Sequence, residues 1–332
     1  MKTVLLTGAN GFLGGHLCRE LLYRNYAVRA YVRPGSNRQV LNGLPIDIWE
    51  GDLRDLANVR AATYGCDYVI HAAALAQVNP ARSAAVVDTN ISGTAAVLAA
   101  AVQGHIDRLV FVGTANVFGF GPKDHPGNET FPYMGQRYGL DYMDSKRAAT
   151  NLVMEAIRAD ELPAVLVHPT FMIGPLDYKI TSNALLLALY RRQVAGIPAG
   201  GKNYVHVADV AKATVNALTM GTVGESYILG NENLSYNEFF TLVSEVVTIQ
   251  KPTFSIPPVL ATFIGHLSEW QSRFLSRPGL LNSAMAMVAN DGHYFTVSKA
   301  IHALNLPQTP IRMAVKQAFD WFEQHNYLKR TN

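Results

Sequence analysis

A chain of 332 residues, 49% of them hydrophobic, is long enough to bury a sizeable core as one two-lobed domain or two modest ones. Charged residues make up only 16% and the net charge is +3, too weak for a phosphate-tracking surface, so nucleic acid is excluded as a partner. The two cysteines, Cys18 and Cys66, fall in a predicted helix and just before a predicted buried strand, which suits core thiols in a reducing cytosol.

Met1-Lys2-Thr3 runs straight into a strand, without the charged start, apolar stretch and small-residue cleavage site of a signal peptide. The strands then follow at Thr3 to Thr7, Ala27 to Val32, Ile46 to Trp49, Tyr68 to His71, Leu109 to Val112 and Ala164 to Val167. Helical patterns alternate with them at Phe12 to Tyr23, Leu56 to Thr63, Val86 to Gln103 and Tyr138 to Ala159. Two βαβαβ halves predict an α/β protein with a doubly wound parallel sheet, the Rossmann arrangement. After Pro169 the connections lengthen and helices dominate, as far as an amphipathic segment from Ile311 to Tyr327. The apolar segment from Ile256 to Leu267 is opened by Pro257 and Pro258 and is too short to span a bilayer, which takes about 20 residues. It reads as an amphipathic helix with a buried face, and the expectation is a cytoplasmic protein with no membrane partner. Residues 1–175 form the expected dinucleotide domain, with return elements around 203–230 that include the strand Ser226 to Leu229 and the helix Asp209 to Met220. Residues 176–202 and 231–332 form a smaller, mostly helical substrate lobe.

The first strand runs into Gly8-Ala9-Asn10-Gly11-Phe12-Leu13-Gly14 and then a helix. Glycines at these points let the backbone turn tightly and approach a pyrophosphate at a helix N-terminus, although such turns also occur for packing alone. The residue ending the second strand selects the cofactor: an acid grips the adenosine ribose hydroxyl of NAD, whereas an arginine accommodates the phosphate of NADP. Here that strand ends at Arg33, with no Asp or Glu between Glu20 and Asp47. NADP(H) is expected, with NAD(H) the alternative.

Tyr142 and Lys146 form the only Tyr-x-x-x-Lys in the chain, and a spacing of four puts both on one face of a helix. An ammonium one turn away is expected to pull the phenol pKa toward the working range, and the lysine can also hold the nicotinamide ribose. At the tip of the fifth strand, the hydroxyl of Thr114 could polarise a substrate carbonyl or simply satisfy a local turn.

These residues resemble the extended short-chain dehydrogenase/reductases, especially their dihydroflavonol-reductase-like and hydroxysteroid-dehydrogenase-like branch. The likeness runs through TGANGFLG at Thr7 to Gly14, YVRPGSN at Tyr31 to Asn37, GDL at Gly51 to Leu53, HAAA at His71 to Ala74, NISGT at Asn90 to Thr94, YMDSK at Tyr142 to Lys146, HPTFMIGP at His168 to Pro175 and HVADVA at His206 to Ala211. The resemblance implies that Asp52 and Leu53 contact adenine, that Ala72, Ala73 and Ala74 line the cofactor, and that Pro169 packs near the nicotinamide. It implies a cofactor-side role for Asn90, which as a helix residue could equally buttress structure, and it makes Thr114 a replacement for the family's commoner serine. No metal is expected, because the histidines lack ligand spacing; His71 and His206 read as satisfied core groups.

Three functions fit. Carbonyl reduction or alcohol oxidation with NADP(H) is favoured over a sugar-nucleotide epimerase and over a non-catalytic NADP-binding sensor. The related dehydratases carry an acidic pair where Ala115-Asn116 stands here. The partner is then a small carbonyl or alcohol. Phe120, Phe131, Tyr133, Met134, Phe171, Met172, Phe263 and Trp270 are consistent with an apolar ligand or with plain core, and Arg191 and Arg192 with a diphosphate or a solvated face. By family analogy the protein is a possible homodimer through its two long, alanine-rich helices.

Overall fold

The computed structural model describes residues 1–260 and 282–328. Seven parallel strands form the main sheet: β1 (Thr3–Thr7), β2 (Ala27–Val32), β3 (Asp47–Glu50), β4 (Tyr68–His71), β5 (Arg108–Val112), β6 (Ala164–Pro169) and β9 (Ser226–Leu229). Their order is β3-β2-β1-β4-β5-β6-β9. The chain therefore winds outward from β1 in one direction and then resumes at β4 on its other side. That reversal opens a crevice at the carboxyl ends of β1 and β4, where a doubly wound sheet takes its ligand.

The strands are nearly continuous apolar runs because both faces are covered. Val4, Leu6, Val110, Val112, Val165 and Val167 pack on one side with Leu13, Leu17 and Leu21 of α1 (Phe12–Tyr23) and Val210 of α6 (Val207–Asn216). The intervening Leu5, Leu109, Phe111, Ala164 and Leu166 pack on the other with α2 (Leu56–Thr63), α3 (Ala84–Gln103) and α4 (Asp141–Arg158). The period-two alternation of each strand thus feeds two separate cores. By length and composition α3 could cross a bilayer, with a mean hydropathy of 1.5. Its apolar face is used here, with Val97, Leu98, Ala100 and Ala101 buried between α2, α4 and the sheet.

Several expected boundaries shift by a few residues, and two features differ more substantially from the sequence expectation. The helix carrying Tyr142 begins at Asp141 rather than Tyr138, because residues Gly135–Tyr138 form a separate 3-10 turn and Gly139 then takes a left-handed conformation at φ 62°. The smaller lobe also contains a sheet. β8 (Gly201–His206) pairs with β7 (Phe171–Ile173), β10 (Glu232–Ser235) and β11 (Gly292–His293), and of these β10 alone is antiparallel to it. Around that sheet lie α5 (Ala184–Tyr190), α7 (Tyr236–Val247), α8 (Ser283–Asn290), α9 (Ser298–Leu304) and α10 (Ile311–Gln324). Tyr204 of β8 stacks on Phe239 of α7 at 4.0 Å, which seats the sheet on its helices. α9 and α6 return to the main sheet through Leu304, Ala300 and Val210. Of the segment expected to be helical from Ile256 to Leu267, residues 261–267 lie outside the described residues, as do Phe263 and Trp270. Cys18 and Cys66 are both buried free thiols, and burial pushes Cys18 up to about 12.

Candidate active site

The turn between β1 and α1 is shaped by close approach. Gly8 has φ +73°, and a Cβ there would lie 2.7 Å from the Ala73 backbone; at Gly14 a Cβ would sit 2.1 Å from the Gly8 carbonyl oxygen. Only glycine lets the loop after β4 and the start of α1 press on the turn together. Gly11 caps α1 without a side-chain acceptor, and no acid occupies the first turn, so its leading N–H groups face the crevice with the positive end of the helix dipole. Phe12 and Leu13 contribute those backbone groups, while their side chains are buried in the core. Asn10 donates to the Asn37 carbonyl at 3.0 Å and ties the turn to the loop after β2.

Beneath the loop of Ala72 to Ala74 lies a buried relay of hydrogen bonds whose direction is fixed by proton counting. Thr94 spends its hydroxyl proton on the Asn90 carbonyl at 2.6 Å, so His71 donates to it from Nε2 at 3.0 Å. His71 Nδ1 must then accept from the Thr7 hydroxyl at 2.7 Å, and Thr7 Oγ1 accepts from the Ala73 N–H at 3.2 Å. Burial, and then the charge of Lys146, hold His71 down to about 3, so it stays neutral. His206 is likewise satisfied, accepting from the Ala208 N–H at 2.9 Å and bonding Gln317 at 2.8 Å.

Asn90 accepts from the Leu75 N–H at 2.8 Å and donates to Ser145 Oγ at 2.9 Å. Ser145 in turn donates to the Tyr142 carbonyl at 3.0 Å. The amide of Asn90 therefore clamps the crevice loop to the first turn of α4. Sequence reading passed over Ser145, though it sits within the Tyr-x-x-x-Lys motif itself.

Lys146 is buried and donates to the Val112 carbonyl at 2.8 Å, with its ammonium 4.6 Å over the Phe111 ring. This bond ties α4 to the end of β5, two residues before Thr114. Thr114 caps the following 3-10 turn by accepting from the Asn116 N–H at 3.4 Å, and its side chain lies close enough to the Tyr142 phenol to favour the phenolate. Thr114, Tyr142 and Lys146 thus converge at the carboxyl end of β5.

The electrostatics reverse one expectation. Burial pushes the Tyr142 phenol above its ordinary value, and the nearby Thr114 side chain only partly offsets this. Lys146 is not among the groups that lower it, and burial pulls the lysine itself down to about 7.

At the ribose end, Arg33 is exposed. Arg38 pairs with Glu50 at 2.7 Å and Arg54 with Asp52 and Asp88 at 2.6 and 2.8 Å, whereas Arg33 has no ion pair among the described residues. The charges of Arg33 and Lys179 are close enough to oppose each other. Arg54, ahead of Arg33, holds the Asp52 carboxyl down to about 2. Leu53 packs beneath Gly93, and Pro169 is buried at the end of β6.

On the other side of Tyr142 lies an apolar cluster of Tyr138, Leu140, Met143 and Ala284, with Phe120, Tyr133, Met287 and Val288 packed against it. Phe131 and Met134 instead brace Gly119, Phe171 packs on Tyr204, Met172 joins the main core and Arg191 holds the Tyr327 carbonyl at 2.9 Å. Among the described residues no group of three His, Cys, Asp or Glu side chains converges on a metal position.

The NAD dependent epimerase/dehydratase family model matches residues 4–230. The chain belongs to this family. Its members are oxidoreductases, dehydratases and epimerases, and they bind a nicotinamide cofactor. A putative dihydroflavonol 4-reductase of Synechocystis is 31% identical over 98% of this chain and 95% of its own length. Sterol demethylase protein B of Methylococcus capsulatus is 28% identical over 98% of this chain and all of its own. The crystal structure of gox2253 superimposes with a TM-score of 0.87 at 29% identity, covering 99% of this chain and 100% of that one. The residues present fit such a cofactor: a cradle that no Cβ could enter, uncapped helix amides for a pyrophosphate, and a buried lysine with two protons left for ribose hydroxyls.

Lys146 loses proton affinity when the chain folds, so the unfolded chain holds more protons below about pH 10. The cost of burying it therefore grows as pH falls toward 7 and levels off below. Lys146→Met should raise the melting temperature, by more at about pH 6 than at about pH 9, as calorimetry would show. An equal gain at both would contradict the depressed lysine.

Proposed function

We propose that this protein is an NADP(H)-dependent reductase of an apolar ketone or aldehyde. The observation that carries the reading is the convergence of the Tyr142 phenol and the Thr114 hydroxyl beside buried Lys146, at the mouth of the glycine crevice. The nicotinamide cofactor, when bound, supplies the hydride for the carbonyl carbon. Thr114 and Tyr142 direct their O–H groups at the carbonyl oxygen and polarise it. Because burial keeps the phenol protonated at neutral pH, Tyr142 acts as an acid and gives its proton to the developing alkoxide. That sign favours reduction over oxidation. Lys146 steadies the ribose and the α4 to β5 junction, and Asn90 with Ser145 hold the turn that carries Tyr142. The apolar cluster next to the phenol suits a hydrophobic substrate better than a sugar, which also separates this reading from epimerisation.

The cofactor preference is supported by Arg33, a guanidinium just after β2 that has no ion pair among the described residues and lies near a second cation, Lys179. A ribose phosphate would relieve their mutual repulsion. Arg33→Ser should weaken NADPH binding about tenfold or more while changing NADH little, as fluorescence titration would show. Equal loss for both cofactors, or tighter binding of NADH by the parent, would contradict the NADP reading.

With a panel of apolar ketones, NADPH should be consumed stoichiometrically. Tyr142→Phe should lower kcat by at least about a hundredfold at nearly unchanged cofactor affinity. In Lys146→Met, which removes the other group titrating near neutrality, any remaining reduction should stay flat across neutral pH and fall only in alkali, while alcohol oxidation should climb with pH as the phenolate forms. Turnover without net NADPH loss on a sugar nucleotide would point to epimerisation instead.

A further inference from the structure

A second group of polar side chains, centred on buried His293 and Tyr138, borders the catalytic cluster, and the proposed proton and hydride transfers do not use it. β11 runs beside the start of β8 with His293 opposite Lys202, so both side chains project from one face of the small sheet. His293 is 3% exposed and stacks on Phe120 at 4.1 Å between ring centres. Phe120 packs in turn on the cluster that includes Tyr142.

The hydrogen bonds around His293 fix its tautomer. Tyr138 Oη bonds the Asp291 carboxylate, which also holds Arg137 at 2.6 Å, and lies 3.2 Å from His293 Nε2. The carboxylate has no proton to give, so it takes the single phenol proton, and the contact with His293 requires the proton on Nε2. Nδ1 is left as a buried lone pair with no partner among the described residues. Burial, with the charges of Lys202 and Arg137, keeps the ring neutral. Lys202 presents the complementary group. Its ammonium lies 5.6 Å over the Phe171 ring and makes no ion pair among the described residues. The Asp291 carboxylate beside this pair is already engaged by Arg137 and Tyr138.

We propose that Lys202 and His293 anchor a hydroxyl of the substrate, remote from the carbonyl that reacts. The hydroxyl oxygen accepts from Lys202 Nζ while its proton goes to His293 Nδ1. A carboxylate or phosphate would satisfy the lysine but set its own lone pairs against that of Nδ1, and a plain hydrocarbon would leave both groups unsatisfied. The substrate class is then an apolar ketone bearing a second oxygen as a free hydroxyl. This identification rests on the carbonyl-reduction reading for the site of reaction, while the anchor itself rests on the two side chains.

Calorimetric titration of the protein saturated with NADP+ tests it without requiring turnover. The probes are a straight-chain methyl ketone, a positional series of its hydroxylated derivatives, and the matching keto carboxylic acid. One hydroxyketone should bind about tenfold more tightly than the parent ketone. That advantage should shrink to within about threefold in both His293→Phe and Lys202→Met, with the parent ketone, which does not use the anchor, still bound by each variant as a check on folding. The proposal is overturned if no hydroxyl position gains, if the gain survives both substitutions, or if the keto acid alone gains and only Lys202→Met removes its advantage. NADPH absorbance on the same compounds separates the two readings. Hydroxyketones that show the binding pattern without being reduced would remove the reductase and leave the anchor, whereas ketones reduced with no hydroxyl preference would remove the anchor alone.

Discussion

The bond from Lys146 Nζ to the Val112 carbonyl is the constraint to which the rest of the site is referred. It crosses from the second turn of α4 to the last residue of β5, and it is buried, so water does not compete for it. With that distance set at 2.8 Å, Tyr142, one helical turn earlier, must stand beside Thr114, two residues beyond Val112. Asn90 of α3 braces α4 through Ser145, and the relay through Thr94, His71 and Thr7 carries the registration on to the glycine turn. The cofactor crevice and the proton-carrying phenol are therefore built on one connected framework of buried polar groups.

The same burial sets the direction of the chemistry. Burial disfavours the charge of the lysine and of the phenolate alike, so the lysine gives the phenol little help toward ionisation and the phenol holds its proton. The histidines show the complementary economy: His71 and His293 are neutral, and their tautomers follow from which neighbour has only one proton to give.

The first half of the fold was legible because a parallel sheet buried on both faces needs apolar runs, and TVLLT, YVIH and RLVFV admit few other readings. The glycine turn was legible for a different reason, since Gly8 and Gly14 sit where any Cβ would strike backbone. Tyr142 and Lys146 announced themselves by helical spacing, but the direction of their shifts did not, because it depends on how deeply both groups are buried. The small sheet was hidden altogether. β8 reads GKNYVH and β11 is two residues long, so neither has a periodic pattern, and their pairing joins segments far apart in sequence. His293 and Lys202 carry no motif; only the register of that pairing brings them together.

A crystal structure of the complex with NADP+ tests the central claim most directly. The nicotinamide ring should lie with its reactive carbon within about 3.5 Å of where a carbonyl carbon sits when its oxygen is bonded to Tyr142 and Thr114. Its ribose should bond Lys146, its pyrophosphate should rest on the amides that open α1, and its ribose phosphate should face Arg33. A dinucleotide seated away from the glycine turn, or one whose nicotinamide points out of the crevice with Tyr142 beyond reach, would contradict the account.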